Sequence, residues 1–142
     1  MRFPKRVQYG LVFLLQLHYS WPEHRSVKEL AESDSLPSKF LEGIAADFRK
    51  FSIVNVKRGA QGGYSLAKPL KEITFLEVLR CLDPEWERQN KNSSRENRTS
   101  RKEAVSSFLN QTSGSVDKVF GEIFLDVLPA LNVQDEGLMY YI

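Results

Sequence analysis

Cysteine is almost missing from this sequence: Cys81 is the only one in 142 residues. That excludes a disulfide scaffold, and it excludes a multi-cysteine metal or iron–sulfur site built by one chain. Six prolines and eight glycines are too few for a collagen-like or linker-dominated chain. Long hydrophobic runs are also lacking, and no apolar stretch approaches the roughly 18–20 residues of a membrane span. The apolar run at residues 9–15 follows a basic start, but it is short, is interrupted by Gln16 and His18, and leads to no small-x-small cleavage pattern. It reads as an amphipathic helix of the folded domain and not as a secretory signal. One reduced thiol without an export signal points to the cytoplasm, with no membrane partner. Catalytic arrangements are missing as well. There is no Ser/His/Asp or Cys/His pattern and no pair of carboxylates suited to a cleft, so an enzyme is not expected. His18 and His24 show no ligand spacing, and no metal site is expected.

What remains is an ordinary globular composition, 42% apolar, 11% aromatic and 27% charged, in a length that suits one small domain with an appended arm. Charge is uneven along it. Residues 1–71 hold 12 Lys and Arg against 6 Asp and Glu, whereas residues 72–142 hold 8 against 12. A basic first half joined to an acidic second half fits a polyanion-binding module attached to something else.

Periodicity orders the pieces. Residues 4–19 place Val7, Leu11, Leu14, Leu15 and His18 on one helical face. Pro22 ends that element. Ser26 and Glu29 have the spacing of a capping box and open a short helix over residues 27–33. A third helix begins at Pro37, with Leu36, Phe40, Leu41, Ile44, Ala45, Phe48 and Phe51 as its buried face; Phe40, Phe48 and Phe51 are expected in the core. Ser38, Lys39, Glu42, Gly43, Ala46, Asp47, Arg49 and Lys50 form its other face. The period then switches to two. Ile53, Val54 and Val56 make one strand, residues 57–63 a glycine-rich cationic tip, and residues 64–67 the returning strand. Because no Lys-Ser/Thr and helix follow Gly62-Gly63, this is a hairpin turn and not a phosphate-binding loop. Thr74 and Glu77 form a second capping box, opening a helix that ends near Cys81, which reads as a small buried apolar residue. Residues 83–102 are polar, with Trp86 the only large apolar side chain, and read as a mobile loop or linker. Arg95, Arg98, Arg101 and Lys102 either keep it solvated or add a nucleic-acid contact. A short helix is expected around Ala104, Val105, Phe108 and Leu109. A longer one follows, carrying Val116, Val119, Phe120, Ile123, Phe124, Val127 and Leu128 up to Pro129, with Asn132 capping a last short turn.

Helix, helix, turn, helix, hairpin and helix in that order make a winged helix-turn-helix domain. The expected fold is mainly α with a small β-hairpin wing and a carboxy-terminal dimerisation helix. A face bearing Val116 through Leu128 can be shielded either by the domain itself or by a partner, and a helix after a polar linker favours the partner. We divide it into a DNA-binding domain over residues 1–83, a polar linker over 84–103, and a dimerisation helix and tail over 104–142. An α-helix fits the major groove of duplex DNA, and a cationic hairpin tip can approach phosphates or the adjacent minor groove. The exposed face of the third helix and the tip therefore nominate Ser38, Lys39, Glu42, Gly43, Lys50, Lys57, Arg58 and Gln61 as DNA-binding residues.

Several separated motifs resemble one family. Gly10-Leu11 in the first helix, Phe40-Leu41-Glu42 in the third, Arg58-Gly59 with Gly62-Gly63-Tyr64 and Leu66-Ala67 in the wing, and Glu72-Ile73-Thr74 with Glu77-Val78-Leu79 after it resemble the Rrf2 family of bacterial regulators. The likeness is dense from residue 1 to about residue 83, weaker through the linker, and returns in the late helix and the Met-Tyr-Tyr-Ile ending. It implies a homodimeric transcription factor, usually a repressor, whose long carboxy-terminal helix pairs with its twin. It also implies base readers at Pro37, Lys39, Glu42, Gly43 and Arg58. Pro37 and Gly43 depart from the family pattern by lacking hydrogen-bonding side chains, which implies a different operator. Cluster-binding members carry three cysteines in the segment matching residues 83–109. This chain has none there, so no cofactor is expected and the chain falls with members that answer to a protein partner or a small ligand. The alternative reading is a winged-helix protein–protein module that has lost operator recognition.

Overall fold

The computed structural model describes residues 2–91 and 99–132. Along the chain come α1 (Lys5–Ser20), α2 (Val27–Ser33), α3 (Ser38–Lys50), β1 (Val54–Lys57), β2 (Gly63–Leu66), α4 (Phe75–Leu82), α5 (Pro84–Lys91), α6 (Ser100–Gly121) and α7 (Val127–Leu131). The strands form one two-stranded antiparallel sheet, so the fold is mainly α with a hairpin wing, as the sequence indicates.

α1 lies at the centre, against α3, α4 and β2. A helix enclosed on several sides must be apolar over more than one narrow stripe. Its fully buried side chains accordingly include Phe13 and Leu17 besides Val7 and Leu14, whereas Leu11, Leu15 and His18 are only partly covered. Burying a side chain such as Phe13 contributes about 2–3 kcal/mol. Leu41, Ile44, Ala45 and Phe48 of α3 complete the contact, with Phe13 and Phe48 stacked at 6.1 Å between ring centres. Phe40 and Phe51 do not join this core. They are 45% and 54% exposed, because their positions fall at the margins of the buried stripe. Phe40 instead meets Tyr9 edge to face at 5.7 Å.

The caps differ. Thr74 and Glu77 close both bonds of a capping box, at 3.2 and 2.8 Å, and start α4. At α2 only half of the box forms. Ser26 Oγ accepts from the Glu29 backbone N–H, but the Glu29 carboxylate accepts from Arg25 Nε at 2.7 Å and does not reach back.

The wing pairs Val54 with Leu66 and Lys57 with Gly63. Arg25 adds a further rung, exchanging backbone bonds with Tyr64 at 2.9 and 2.8 Å, which fastens the hairpin to the start of α2. Gly62 must be glycine: a Cβ there would lie 2.2 Å from the Lys57 carbonyl oxygen.

Beyond α4 the structure departs from the sequence reading. Residues 84–91 are helical and not a loop, and Trp86 docks on Phe120 at 5.4 Å while its Nε1 donates to Asp117 at 3.0 Å. Arg95 and Arg98 lie outside the described residues, as does the Met-Tyr-Tyr-Ile ending. The two expected late helices are one, α6, which takes in Ala104 through Phe120 and stops at Gly121. Ile123, Phe124, Val127 and Leu128 therefore do not continue that helix. The chain extends past it, Phe124 bridges to Thr74, and Leu125 drives into the core at 3% exposure before α7 begins. The 3–1–3–1 spacing of apolar residues is met equally by a helix and by a chain that turns back onto a core, and here the backbone bonds to Ile73 and Phe75 favour the turn. Asn132 stands at the carboxy-terminal cap of α7.

Candidate nucleic-acid interface

The α2–α3 corner is set by backbone bonds, with Leu36 N–H donating to Ala31 O at 2.8 Å and Leu41 N–H to Pro37 O at 3.0 Å. Pro37 is the N-cap of α3, extended at φ −66° and ψ 115°, so the helix proper starts at Ser38. Burial of Leu41, Ile44, Ala45 and Phe48 turns the opposite strip outwards. On it Ser38, Lys39, Glu42, Gly43 and Lys50 are all exposed, together with Ala46 and Arg49. This is the strip that periodicity predicts, except that Asp47, expected on it, is half-buried and ion-paired to Arg6. Ala46 and Arg49 are legible in the sequence as part of it, at steps of four and seven from Glu42, but charge and spacing alone do not single them out as DNA-binding residues.

β1 follows α3 and packs on it, carrying the wing tip outwards. Lys57, Arg58 and Gln61 are exposed there. Among the described residues Lys39, Arg49, Lys57 and Arg58 have no carboxylate partner, whereas Lys50 Nζ stands 3.9 Å from Asp47 and Arg6 is paired with the same carboxylate. Unpaired cations on a helix strip and a hairpin tip give a polyanion four attachment points whose desolvation breaks no existing ion pair. Glu42 sits among them as an acceptor that a base amino group can satisfy. Arg101 and Lys102 are exposed in the first turn of α6.

The second expected surface is redistributed. α6 has no buried residue, and Val105, Phe108, Leu109 and Val119 are 55–65% exposed. Of the residues expected to dimerise, Phe120 and Leu128 pack against the chain's own core and Val116 is half-buried, while Val119, Ile123, Phe124 and Val127 are exposed. Phe120 belongs to an aromatic cluster, 5.2 Å from Phe75 and 6.1 Å from Phe3. The short expected helix around Val105, Phe108 and Leu109 thus supplies apolar surface beyond the residues that periodicity points to.

Cys81 is buried in α4, and burial pushes its thiol from 9.0 up to about 12; the Asp47 carboxylate adds to the rise and Arg6 opposes it. Such a thiol stays protonated and is a poor metal ligand. Among the described residues no group of three or more His, Cys, Asp or Glu side chains could hold a metal ion. The residues present do not fit an iron–sulfur cluster. No helix among the described residues is long and apolar enough to cross a membrane.

A helix-turn-helix with an exposed third helix, followed by a cationic hairpin fastened to the preceding turn, defines a winged-helix protein. The sequence matches the Rrf2 family, described as iron-dependent transcriptional regulators, over residues 3–130, and the chain belongs to that family. It is 34% identical over 83 residues to a protein of Rhodobacter capsulatus named as an rrf2-like HTH-type transcriptional regulator, covering 56% of this chain and 55% of that one. It is 30% identical over 86 residues to the HTH-type transcriptional regulator CymR of Bacillus subtilis, covering 58% and 61%. The matched segments thus span little more than half the length of these relatives. Among solved structures, CymR of B. subtilis superposes with a TM-score of 0.69 at 22% identity, covering 93% of this chain and 98% of that one, which shows the fold. IscR of T. potens superposes with a TM-score of 0.67 at 25% identity, covering 93% and 89%.

Proposed function

We propose that this chain is a sequence-specific DNA-binding transcriptional regulator, acting as a homodimeric repressor on a pseudo-palindromic operator without an iron–sulfur cluster. The observation that carries the reading is the exposed strip of α3, with Ser38, Lys39, Glu42 and Arg49, beside a wing tip whose Lys57 and Arg58 have no carboxylate partner among the described residues. α3 lies in a major groove, where Lys39 and Glu42 meet base edges, and the wing sets Arg58 against the neighbouring backbone or minor groove. Gly43 leaves its position silent. Residues 1–83 are the DNA-binding unit. Residues 84–103 join it to the dimerising part, which lies within residues 104–142.

The dimer reading rests on α6. Val105, Leu109, Thr112, Val116 and Val119 recur at steps of 4, 3, 4 and 3, with Phe108 beside them, a spacing that brings one seam of a helix against a second helix. Within one chain Val105, Leu109 and Val119 of that seam stay in water and Val116 is half-covered. A second copy would cover them, and two-fold pairing is the commonest solution. Two copies then present two α3 helices to half-sites about one helical turn or a multiple of it apart. A small-molecule or protein effector is the remaining partner, and the cytoplasm the expected location.

The test is selection from a random duplex pool, followed by anisotropy titration of the enriched duplex. We expect affinity that falls steeply with salt and that Arg58→Ala weakens. Saturating protein with no enriched sequence at moderate salt would favour the protein–protein module instead.

A further inference from the structure

α3's exposed strip has a gap at Gly43, and a side chain from another helix stands beside it. A Cβ built on Gly43 would have one neighbour within 4 Å, Arg6 Nη2 at 3.8 Å. Arg6 comes from the first turn of α1, and its guanidinium donates to the carboxylate of Asp47, one turn beyond Gly43 on the same side of α3. Its side chain is 29% exposed, and its other N–H groups have no protein acceptor among the described residues. An isolated pair on one flexible surface contributes little, but this one spans two packed helices, so it fixes where the fork points. Ion pairing to Asp47 also neutralises a carboxylate that would otherwise repel a polyanion at the edge of the strip.

We propose that Arg6, held by Asp47 and displayed through the space that Gly43 leaves, clamps a DNA phosphate at the wall of the major groove in which α3 lies. The assignment rests on the DNA-binding reading above. Phosphate is favoured over a base edge by position. By helical angle Lys39, Ala46 and Lys50 lie opposite the buried stripe of Leu41, Ile44, Ala45 and Phe48, with Gly43 next to them. The half-buried Asp47 that holds Arg6 lies at the flank, and the flanks of a helix in the major groove face the sugar–phosphate walls. A planar guanidinium with spare parallel N–H groups suits a phosphate's paired oxygens. The glycine thus has a positive use: a long side chain at position 43 would compete for the space through which Arg6 reaches out.

The experiment is anisotropy titration of the full chain against its selected duplex and a scrambled duplex, over a range of salt. Arg6→Ala is expected to weaken binding to both duplexes on the order of tenfold and to lower the log K against log salt slope by about 0.9 for each phosphate no longer neutralised. Gly43→Gln should weaken binding by itself, and adding Arg6→Ala to it should cost much less than in the wild-type background. Arg6→Gln removes the charge while keeping a polar side chain on the same stem, and serves where the alanine variant fails to fold. An unchanged salt slope in a folded Arg6 variant overturns the assignment. So does a weakening confined to one base pair, which would make Arg6 a base reader. A wild-type chain that binds no duplex defeats the DNA-binding reading itself, whereas wild-type binding indifferent to Arg6 defeats only the clamp.

Discussion

Gly10 of α1 faces Leu82 of α4 so closely that a Cβ on the glycine would lie 2.3 Å from the leucine Cδ1 and 3.1 Å from Phe48 Cζ. Leu82 is fully packed, so it cannot swing aside freely. Alanine at position 10 gains about 1 kcal/mol of helix propensity and loses about 1–3 kcal/mol to overpacking. We therefore expect Gly10→Ala to be destabilising by roughly 1 kcal/mol and Gly10→Val by more, measured by urea unfolding. A valine variant as stable as the wild type would mean that α1 and α4 are not this close.

The seam on α6 predicts a clean separation of assembly from folding. Phe108→Glu combined with Val105→Glu should convert a dimer to a monomer by sedimentation velocity at micromolar protein. Both side chains are exposed within the chain, 65% and 58%, so the winged-helix part should keep its far-ultraviolet spectrum. Operator affinity should fall with the loss of the second half-site.

Glu42 is expected to set base preference more than affinity. A carboxylate accepts from the cytosine amino group, whereas an amide both donates and accepts and suits adenine. Glu42→Gln should therefore shift the base enriched at one symmetric pair of positions, read by sequencing the selected pool. Each mismatch there should discriminate by about 1–3 kcal/mol. An unchanged preference would remove Glu42 from the base-reading set.

Cys81 gives an alkaline signature. Burial raises its thiol from 9.0 to about 12, so over that interval the folded chain keeps a proton that the unfolded chain releases. Stability linked to this group is full below pH 9 and declines as pH rises towards 12. In urea titrations the wild type should lose stability across that range relative to Cys81→Ala, and the gap between them should narrow. At about pH 8 the folded protein should resist alkylation by iodoacetamide and become reactive in urea.

Much of this is legible in the residues themselves. The boundaries of the short helix after Ser26, the cap at Thr74 and the hairpin around the glycine-rich tip follow from local chemistry: a hydroxyl three residues before a glutamate, β-branched alternation, a turn that admits only glycine. The exposed strip of α3 follows too, because burying Leu41, Ile44 and Phe48 leaves the opposite side no choice. Phe40 and Phe51 mislead for an equally local reason. Hydrophobicity says that a ring prefers cover, but the angle around the helix decides whether cover is within reach. Residues 84–91 are polar enough to read as a loop, but the dock of Trp86 on Phe120 and Asp117, the Arg80–Glu87 ion pair and the Asp83 carboxylate that accepts from the Glu85 N–H hold them as a helix.

The sequence by itself determined the local elements and the sign of charge on each half, since caps, periods and turns act over a few residues. It determined the family likeness as well, because motifs in fixed order need no coordinates. The tertiary structure decided where α6 stops, that Leu125 enters the core while Val105 and Phe108 stay outside, and that Arg6 stands beside Gly43. Those outcomes depend on contacts between residues far apart in the chain, where several arrangements satisfy the same apolar spacing and only packing in three dimensions chooses among them.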